Sequence, residues 1–137
     1  MASRVRRAEY YYANVHDDIG AAYRVLSDLA NRGVNPLAFT AVPVGPTLAQ
    51  FTLFPEDPGR FLEESRTAQL PLDGPHHALL VQGDDELGAL ARVHERLFAA
   101  GVDIYASSGV TDGRGAFGYV IYVREDQIGK ATQALGL

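Results

Sequence analysis

The sequence predicts an α+β fold built from two tandem copies of one small unit. The first observation is an internal repeat: about forty residues from Asp17 onward align without a gap with those from Asp85 onward, at an offset of 68 positions. The second observation is that apolar residues alternate in some segments, as in strands, and recur at helical spacing in others. These segments follow the same order in both copies. Positions that are identical in the two copies include Asp17/Asp85, Gly20/Gly88, Ala21/Ala89, Arg24/Arg92, Leu29/Leu97 and Gly33/Gly101.

In the first copy the pattern predicts the order β-α-β-β-α-β. A tyrosine-rich segment is typical of a strand, and Asp17 is placed to cap the helix that follows it. Gly33 is placed to end that helix, and a turn rich in proline and glycine separates two further strands. The predicted strands are 8–15, 34–42, 48–54 and a short last strand at 67–72, and the second helix is 58–66.

The second copy repeats this order but lacks the last strand. Its predicted strands are 77–82, 102–110 and 117–123, and its predicted helices are 85–100 and 126–135. We therefore predict two ferredoxin-like domains, 8–75 and 76–137, each an antiparallel sheet with helices on one face. The missing strand leaves one edge of the first strand of the second copy unpaired. Because proteins seldom leave such an edge open, we expect a homodimer formed through that edge or through the apolar sheet face.

The composition excludes several classes of function. A net charge of −5 and a pI near 5.2 argue against a nucleic-acid or anionic-membrane partner. The basic segment 4–7 is interpreted as a solvated N-terminal arm. The absence of cysteine excludes a disulfide and a thiolate zinc site, and His76-His77 has no third ligand at a suitable spacing. We expect a cytoplasmic protein without metal or cofactor, since no segment is typical of a signal peptide or a membrane span.

The repeated segment resembles the ACT family. The resemblance is carried by Asp-Asp-Ile-Gly at 17–20 followed by Gly-Val-Asn at 33–35, and by Asp-Glu-Leu-Gly at 85–88 followed by Gly-Val-Asp at 101–103. ACT domains bind amino acids or other small effectors, usually to regulate a metabolic enzyme. Their sites lie between paired domains, so the resemblance implies an effector site at the junction of the two copies. The implied ligand-binding residues are Asp17, Asp18, Ile19, Gly20, Asn35, Asp85, Glu86, Leu87, Gly88 and Asp103.

The chemistry of these residues suits an amino acid. The ammonium needs acceptors, which Asp17, Asn35 or Asp85 could supply, and the carboxylate could bind N–H groups at a helix N-terminus. Structural roles account for the same residues: the aspartates as helix caps, and Gly20 and Gly88 as sites of close helix–sheet packing. Asp103, where the first copy has an amide, leaves open whether both sites bind ligand.

Other motifs are interpreted structurally. The sequence Gly-Arg-Gly-Ala-Phe-Gly at 113–118 matches a dinucleotide fingerprint, but it leads into a strand and is interpreted as a hairpin turn. His94 is interpreted as a half-buried, hydrogen-bonded histidine, with a catalytic base as the alternative. Residues 10–12, all tyrosine, are assigned to packing, with a ligand-stacking wall as the alternative.

We predict a regulatory protein without catalytic residues that binds a small effector, most simply an amino acid. The regulated enzyme or transcription factor is then a separate chain. Two alternatives stay open: a protein-interaction module that has lost effector binding, and a small enzyme on the same scaffold.

Overall fold

The structure, a computed structural model, describes residues 4–137. Its elements, in chain order, are β1 (Arg4–His16), α1 (Ala21–Asn31), β2 (Pro36–Val44), β3 (Leu48–Pro55), α2 (Pro58–Thr67), β4 (Asp73–Asp84), α3 (Ala89–Ala99), β5 (Ile104–Thr111), β6 (Ala116–Val123), a 3-10 turn (Glu125–Gln127) and α4 (Ile128–Ala134). Strand β3 pairs with β1 and β2, and β6 pairs with β4 and β5, in every case antiparallel. The predicted α+β class is confirmed.

The described chain forms two compact units. One contains residues 9–76, and the other contains residues 77–137 together with the N-terminal segment that ends at residue 8. The predicted boundary between residues 75 and 76 lies inside β4. The assignment of each unit to one tandem ACT-type domain stays a prediction.

In the unit of residues 9–76, two helices cover one face of the sheet. Strand β3 lies between β2 and β1, with Phe51 opposite Ala13 on one side and opposite Ala41 on the other. The side chains that meet between sheet and helices form one buried core: Tyr11, Ala13, Ala21, Leu29, Val34, Ala49, Phe51, Leu53 and Phe61. This core fixes α1 against the sheet and therefore fixes the loop that precedes it.

The unit of residues 77–137 has the same arrangement. Strand β6 lies between β5 and β4, with Tyr119 opposite Gly109 on one side and Val81 on the other. Its core combines strand residues with residues of α3 and α4: Leu79, Val81, Ala89, Val93, Leu97, Val102, Phe117, Tyr119, Ile121, Val123, Ile128, Ala131 and Leu135.

The interpretation of residues 4–7 as a solvated arm is wrong. They begin β1, and Val5 packs against the core of the unit of residues 77–137. Strands β1 and β4 are hydrogen-bonded neighbours, and Arg4, Val5 and Arg6 line a shallow cavity with Gln82 of β4. As predicted, the described residues after α4 add no strand, but the expected unpaired edge of β4 is occupied by β1.

The short strand predicted at 67–72 is also wrong. Helix α2 ends at Thr67, and Leu70 N–H then bonds to the carbonyl of Ser65 in a tight turn. Residues 73–75, which follow this turn region, begin β4. An ideal Cβ at Gly74 would lie 2.8 Å from Tyr11 Cδ2, so only glycine allows this close approach of β4 to β1.

Candidate functional site

The loops that precede α1 and α3 have the same backbone conformation. Each helix begins after a glycine in the left-handed region, Gly20 with φ 90° and Gly88 with φ 82°, and neither helix has a side-chain cap. The prediction that Asp17 and Asp85 cap these helices is wrong. The aspartates lie three residues before the glycines, whose positive φ turns the chain into the helix. Glycine is therefore required here by the backbone.

Asp17 and Asp85 attach the loops to the neighbouring hairpins. Asp17 N–H donates to the carbonyl of Thr47 at 2.8 Å, and Asp85 N–H donates to the carbonyl of Gly115 at 2.9 Å. Both residues are exposed, and neither carboxylate has an ion-pair partner within the described part of the chain. The main chain fixes their position, and the carboxylates face solvent.

An arginine of α3 holds the loop that precedes this helix. Arg92 Nη1 donates to the carbonyl of Leu87 at 3.3 Å, and Arg92 Nη2 donates to Glu86 Oε2 at 3.2 Å. An ideal Cβ at Gly88 would lie 3.4 Å from Arg92 Nη1, so the guanidinium lies directly over the glycine.

The first copy contains the same arrangement. Arg24 bonds to the carbonyl of Ile19 and pairs with the carboxylate of Asp18. No role of these arginines was predicted from the sequence. Their identity at the equivalent positions 24 and 92 was the signal that could have identified them.

The arginine contacts leave one apolar side chain of each loop in solvent. Ile19 and Leu87 are both 100% exposed, and each lies in the loop before its helix. Packing within the described units therefore does not account for either side chain.

The loop before α3 borders a cavity of about 590 Å³. The opposite wall comes from the end of β5 and the start of β6. The cavity is lined by Asp85, Glu86, Leu87, Gly88, Ala89, Leu90, Ala91, Gly109, Val110, Thr111, Phe117 and Gly118. Four of the predicted ligand-binding residues, 85–88, thus lie together on one wall. The contributions of Leu90 and Val110 were not predicted, since they depend on how α3 lies beside β5.

Asn35 and Asp103, the two predicted residues outside the loops before α1 and α3, lie elsewhere in the units. Asn35 lines a separate cavity of about 280 Å³ with Arg60, and its carbonyl accepts from Glu56 N–H at 3.2 Å. Asp103 N–H donates to Gln127 Oε1 at 3.0 Å. Neither Asn35 nor Asp103 lines the cavity beside α3. The resemblance places them opposite the loop of another domain, so their role in ligand binding stays a prediction.

A polar network lies below α3. His94 Nε2 is 2.6 Å from the Tyr119 hydroxyl oxygen, and this hydroxyl donates to Ser107 Oγ at 2.8 Å. His94 is half-buried and Tyr119 is 7% exposed. The network connects α3 with β5 and β6, the three elements that surround the cavity. A half-buried, hydrogen-bonded histidine was the structural role predicted for His94.

The glycine-rich segment at 113–118 forms the turn between β5 and β6. Asp112 Oδ1 accepts from the N–H groups of Arg114 at 2.6 Å and Ala116 at 3.1 Å. These backbone hydrogen bonds hold the pKa of Asp112 below its usual value. The segment leads into β6 and not into a helix, so the hairpin interpretation is confirmed.

The strongest pKa shift belongs to the core of the other unit. Burial, together with a hydrogen bond from the Tyr11 hydroxyl to Glu9, raises the pKa of Tyr11 to about 12. Tyr11 packs against Phe61 with ring centroids 5.3 Å apart. It therefore has a packing role.

Residues 4–137 contain no group of three or more His, Cys, Asp or Glu side chains that could hold a metal ion. In the same part of the chain, no helix is long and apolar enough to cross a membrane.

Several solved structures share this fold. A protein from Bacteroides thetaiotaomicron superimposes with a TM-score of 0.80 at 18% identity, covering 96% of this chain and 88% of that one. The ligand-free regulatory subunit of aspartate kinase from Thermus thermophilus gives 0.64 at 15% identity, covering 98% and 95%. Aspartokinase alpha and beta subunits give 0.62 at 21% identity, again covering 98% and 95%. No protein-family model and no curated protein matches the sequence. At these identities the likeness shows the fold alone: the chain shares the α+β fold of these structures.

Proposed function

We propose that the chain is a regulatory protein in which two tandem ACT-type domains bind a small effector, an amino acid. The observation that carries the proposal is the cavity of about 590 Å³ beside residues 85–88, where the resemblance placed an effector site. The likeness of the fold to the regulatory subunit of aspartate kinase supports a regulatory role.

The groups around the cavity suit a free amino acid. The exposed carboxylate of Asp85 is placed to accept hydrogen bonds from an ammonium group. Helix α3 has no side-chain cap, so N–H groups of its first turn are available to a carboxylate, and the helix dipole favours negative charge there. A zwitterion thus satisfies both ends of the site without a metal or cofactor.

The proposed output is a change in association with another chain. Strands β2 and β5 each have a single hydrogen-bonded neighbour, β3 and β6 respectively. Because open edges invite pairing, a second copy is proposed to cover one of them in a homodimer. Asn35 or Asp103 then completes the effector site at a junction of domains, as the resemblance implies. The regulated enzyme or transcription factor is a separate chain.

Thermal unfolding with each of the twenty amino acids tests the proposal. A ligand at 100 times its Kd stabilises a protein by about 2.7 kcal/mol, which raises the Tm of a chain of this size by roughly ten degrees. One amino acid should give such a rise, and Asp85→Asn should reduce it. Asp103→Asn is the companion variant, because it restores the amide found at position 35.

Failure of all twenty amino acids to raise the Tm at millimolar concentration would reject effector binding. The exposure of Ile19 and Leu87 would then favour the second candidate, a protein-interaction module without an effector. Isolation of a stoichiometric complex with one partner chain that buries these side chains would establish it.

A further inference from the structure

The residues that line the cavity beside α3 indicate which class of effector side chain it suits. We propose that this cavity takes an amino acid with an aliphatic or aromatic side chain, and that the equivalent place in the first copy does not take the same ligand. This inference rests on the proposed function and deepens it.

The charges around the cavity exclude a second acidic group on the ligand. Its ionisable lining residues are Asp85 and Glu86, and no lysine, arginine or histidine is among the described residues that line it. Arg92 lies close by, but its guanidinium bonds to Glu86 and to the carbonyl of Leu87. A side-chain carboxylate or a phosphate would therefore meet the carboxylate of Asp85, and no cationic side chain among the lining residues compensates that repulsion.

The remaining wall is apolar and open. Leu90 is 39% exposed on one side and Val110 is 74% exposed on the other, while Phe117 is buried at the base. An aliphatic or aromatic side chain that lies between them removes apolar surface of both partners from water. Each methylene buried in this way strengthens binding about fourfold.

The first copy differs at a position that lines the cavity. Ala91 of the second copy corresponds to Tyr23 of the first copy, which is 74% exposed on α1. Its phenol ring stands where the second copy has only a methyl group. On the facing strand, Gly109 corresponds to Ala41. The volume of the cavity beside α3 thus depends on Ala91 and Gly109, which are both smaller than their counterparts in the first copy.

The test is isothermal titration calorimetry of the full chain with leucine, phenylalanine, alanine, aspartate and lysine. Leucine or phenylalanine should bind at least about tenfold more tightly than alanine, because several more methylenes are buried. Aspartate should give no heat of binding. Ala91→Tyr, which copies the first-copy residue, should abolish binding, and the reciprocal Tyr23→Ala should leave it unchanged.

The outcomes separate this inference from the proposed function. If aspartate or lysine binds and Ala91→Tyr abolishes that binding, the side-chain class is wrong but the effector site stands. If Tyr23→Ala abolishes leucine binding and Ala91→Tyr does not, the binding site lies in the first copy and not in the second. If no amino acid binds, both proposals fail. Both also fail if the only effect of Ala91→Tyr is to dissociate a dimer of the chain. Val110→Asp, on the facing strand, replaces Ala91→Tyr if circular dichroism shows that the latter has unfolded.

Discussion

The two copies share the loop that begins the first helix of each unit, but they differ in the side chains below that helix. In the second copy the side chains of His94, Tyr119 and Ser107 form a hydrogen-bonded chain. The equivalent positions of the first copy hold Leu26, Phe51 and Phe39.

The first copy fills this space with apolar contacts. The rings of Phe39 and Phe51 are 5.3 Å apart, and Phe51 is 2% exposed. Residues that stay identical, such as Gly20/Gly88 and Arg24/Arg92, are those that the loop backbone requires. The comparison teaches that the identical glycines and arginines report a constraint on the loop, whereas the three positions below the helix are polar in the second copy and apolar in the first.

The largest expected effect comes from the leucine that both cores share. Leu29 is 2% exposed and Leu97 is 0% exposed at equivalent positions. Each substitution by alanine should cost about 2–5 kcal/mol of unfolding free energy, because each leaves a cavity. Urea unfolding measures both losses, with Leu62→Ala, at a side chain that is 37% exposed, as the control. A loss below about 1 kcal/mol at one site alone would show that the two cores are not equivalent.

Exchanging the aromatic residues sharpens the difference between the copies. Phe51→Tyr places a hydroxyl beside Leu26 and Phe39, where it has no partner, and should cost about 1–3 kcal/mol. Tyr119→Phe removes two hydrogen bonds from partners that water can reach and should cost about 1 kcal/mol.

Chemical denaturation of both variants measures these losses. The loss for Phe51→Tyr combined with Phe39→Ser should be smaller than the sum of the two single losses, because the serine supplies a partner for the new hydroxyl, as Ser107 does for Tyr119. Equal losses of unfolding free energy for the two single variants would contradict this difference between the copies.

Substitution of the loop glycines tests the feature that the copies share. Gly20→Ala and Gly88→Ala should each cost about 1–2 kcal/mol, since φ is positive at both positions. Gly129→Ala in α4 is the control: an added Cβ there meets no atom within 4 Å. That change should be neutral or stabilising by up to about 1 kcal/mol. If all three variants behave alike in thermal unfolding, the loop conformation described here is wrong.

Local patterns were sufficient to predict most elements. The repeat and the two periodicities identified both first helices and the hairpins, because each signal lies within one segment. The strand conformation and the packing of residues 4–7 could not be predicted from such local signals. Three arginines in four positions are typical of a solvated segment, and the pairing of β1 with β4 joins residues far apart in the sequence.

The candidate site was predicted only in part. The motif indicated residues 85–88, but not their conformation, because aspartate is a frequent helix cap and the glycine was placed inside the first helical turn. The cavity itself depends on the gap between α3 and β5. Such a gap follows from the packing of a whole unit, so the parts played by Leu90 and Val110 had no signal in the sequence.

The smallest expected effect concerns an ion pair that only the second copy has. His77 Nδ1 lies 2.7 Å from Glu125 Oε1, and this hydrogen bond holds the pKa of Glu125 below its usual value. The equivalent positions of the first copy hold Glu9 and Asp57, two acids, and Asp57 instead accepts from Arg60 N–H at the start of α2.

Because the pKa of Glu125 is lower in the folded chain than in the unfolded chain, the ionised carboxylate stabilises the fold at every pH above the unfolded pKa. This contribution is lost as the pH falls through the folded pKa. The Glu125 side chain is 59% exposed, so the contribution should stay below about 1 kcal/mol. Glu125→Gln should therefore be slightly less stable than the parent at about pH 5.5, and the difference should vanish by about pH 3. Asp57→Asn retains a capping oxygen and serves as the control in the first copy. A difference between parent and Glu125→Gln that grows as the pH falls would contradict the sign of this shift, because protonation of Glu125 removes the partner of His77.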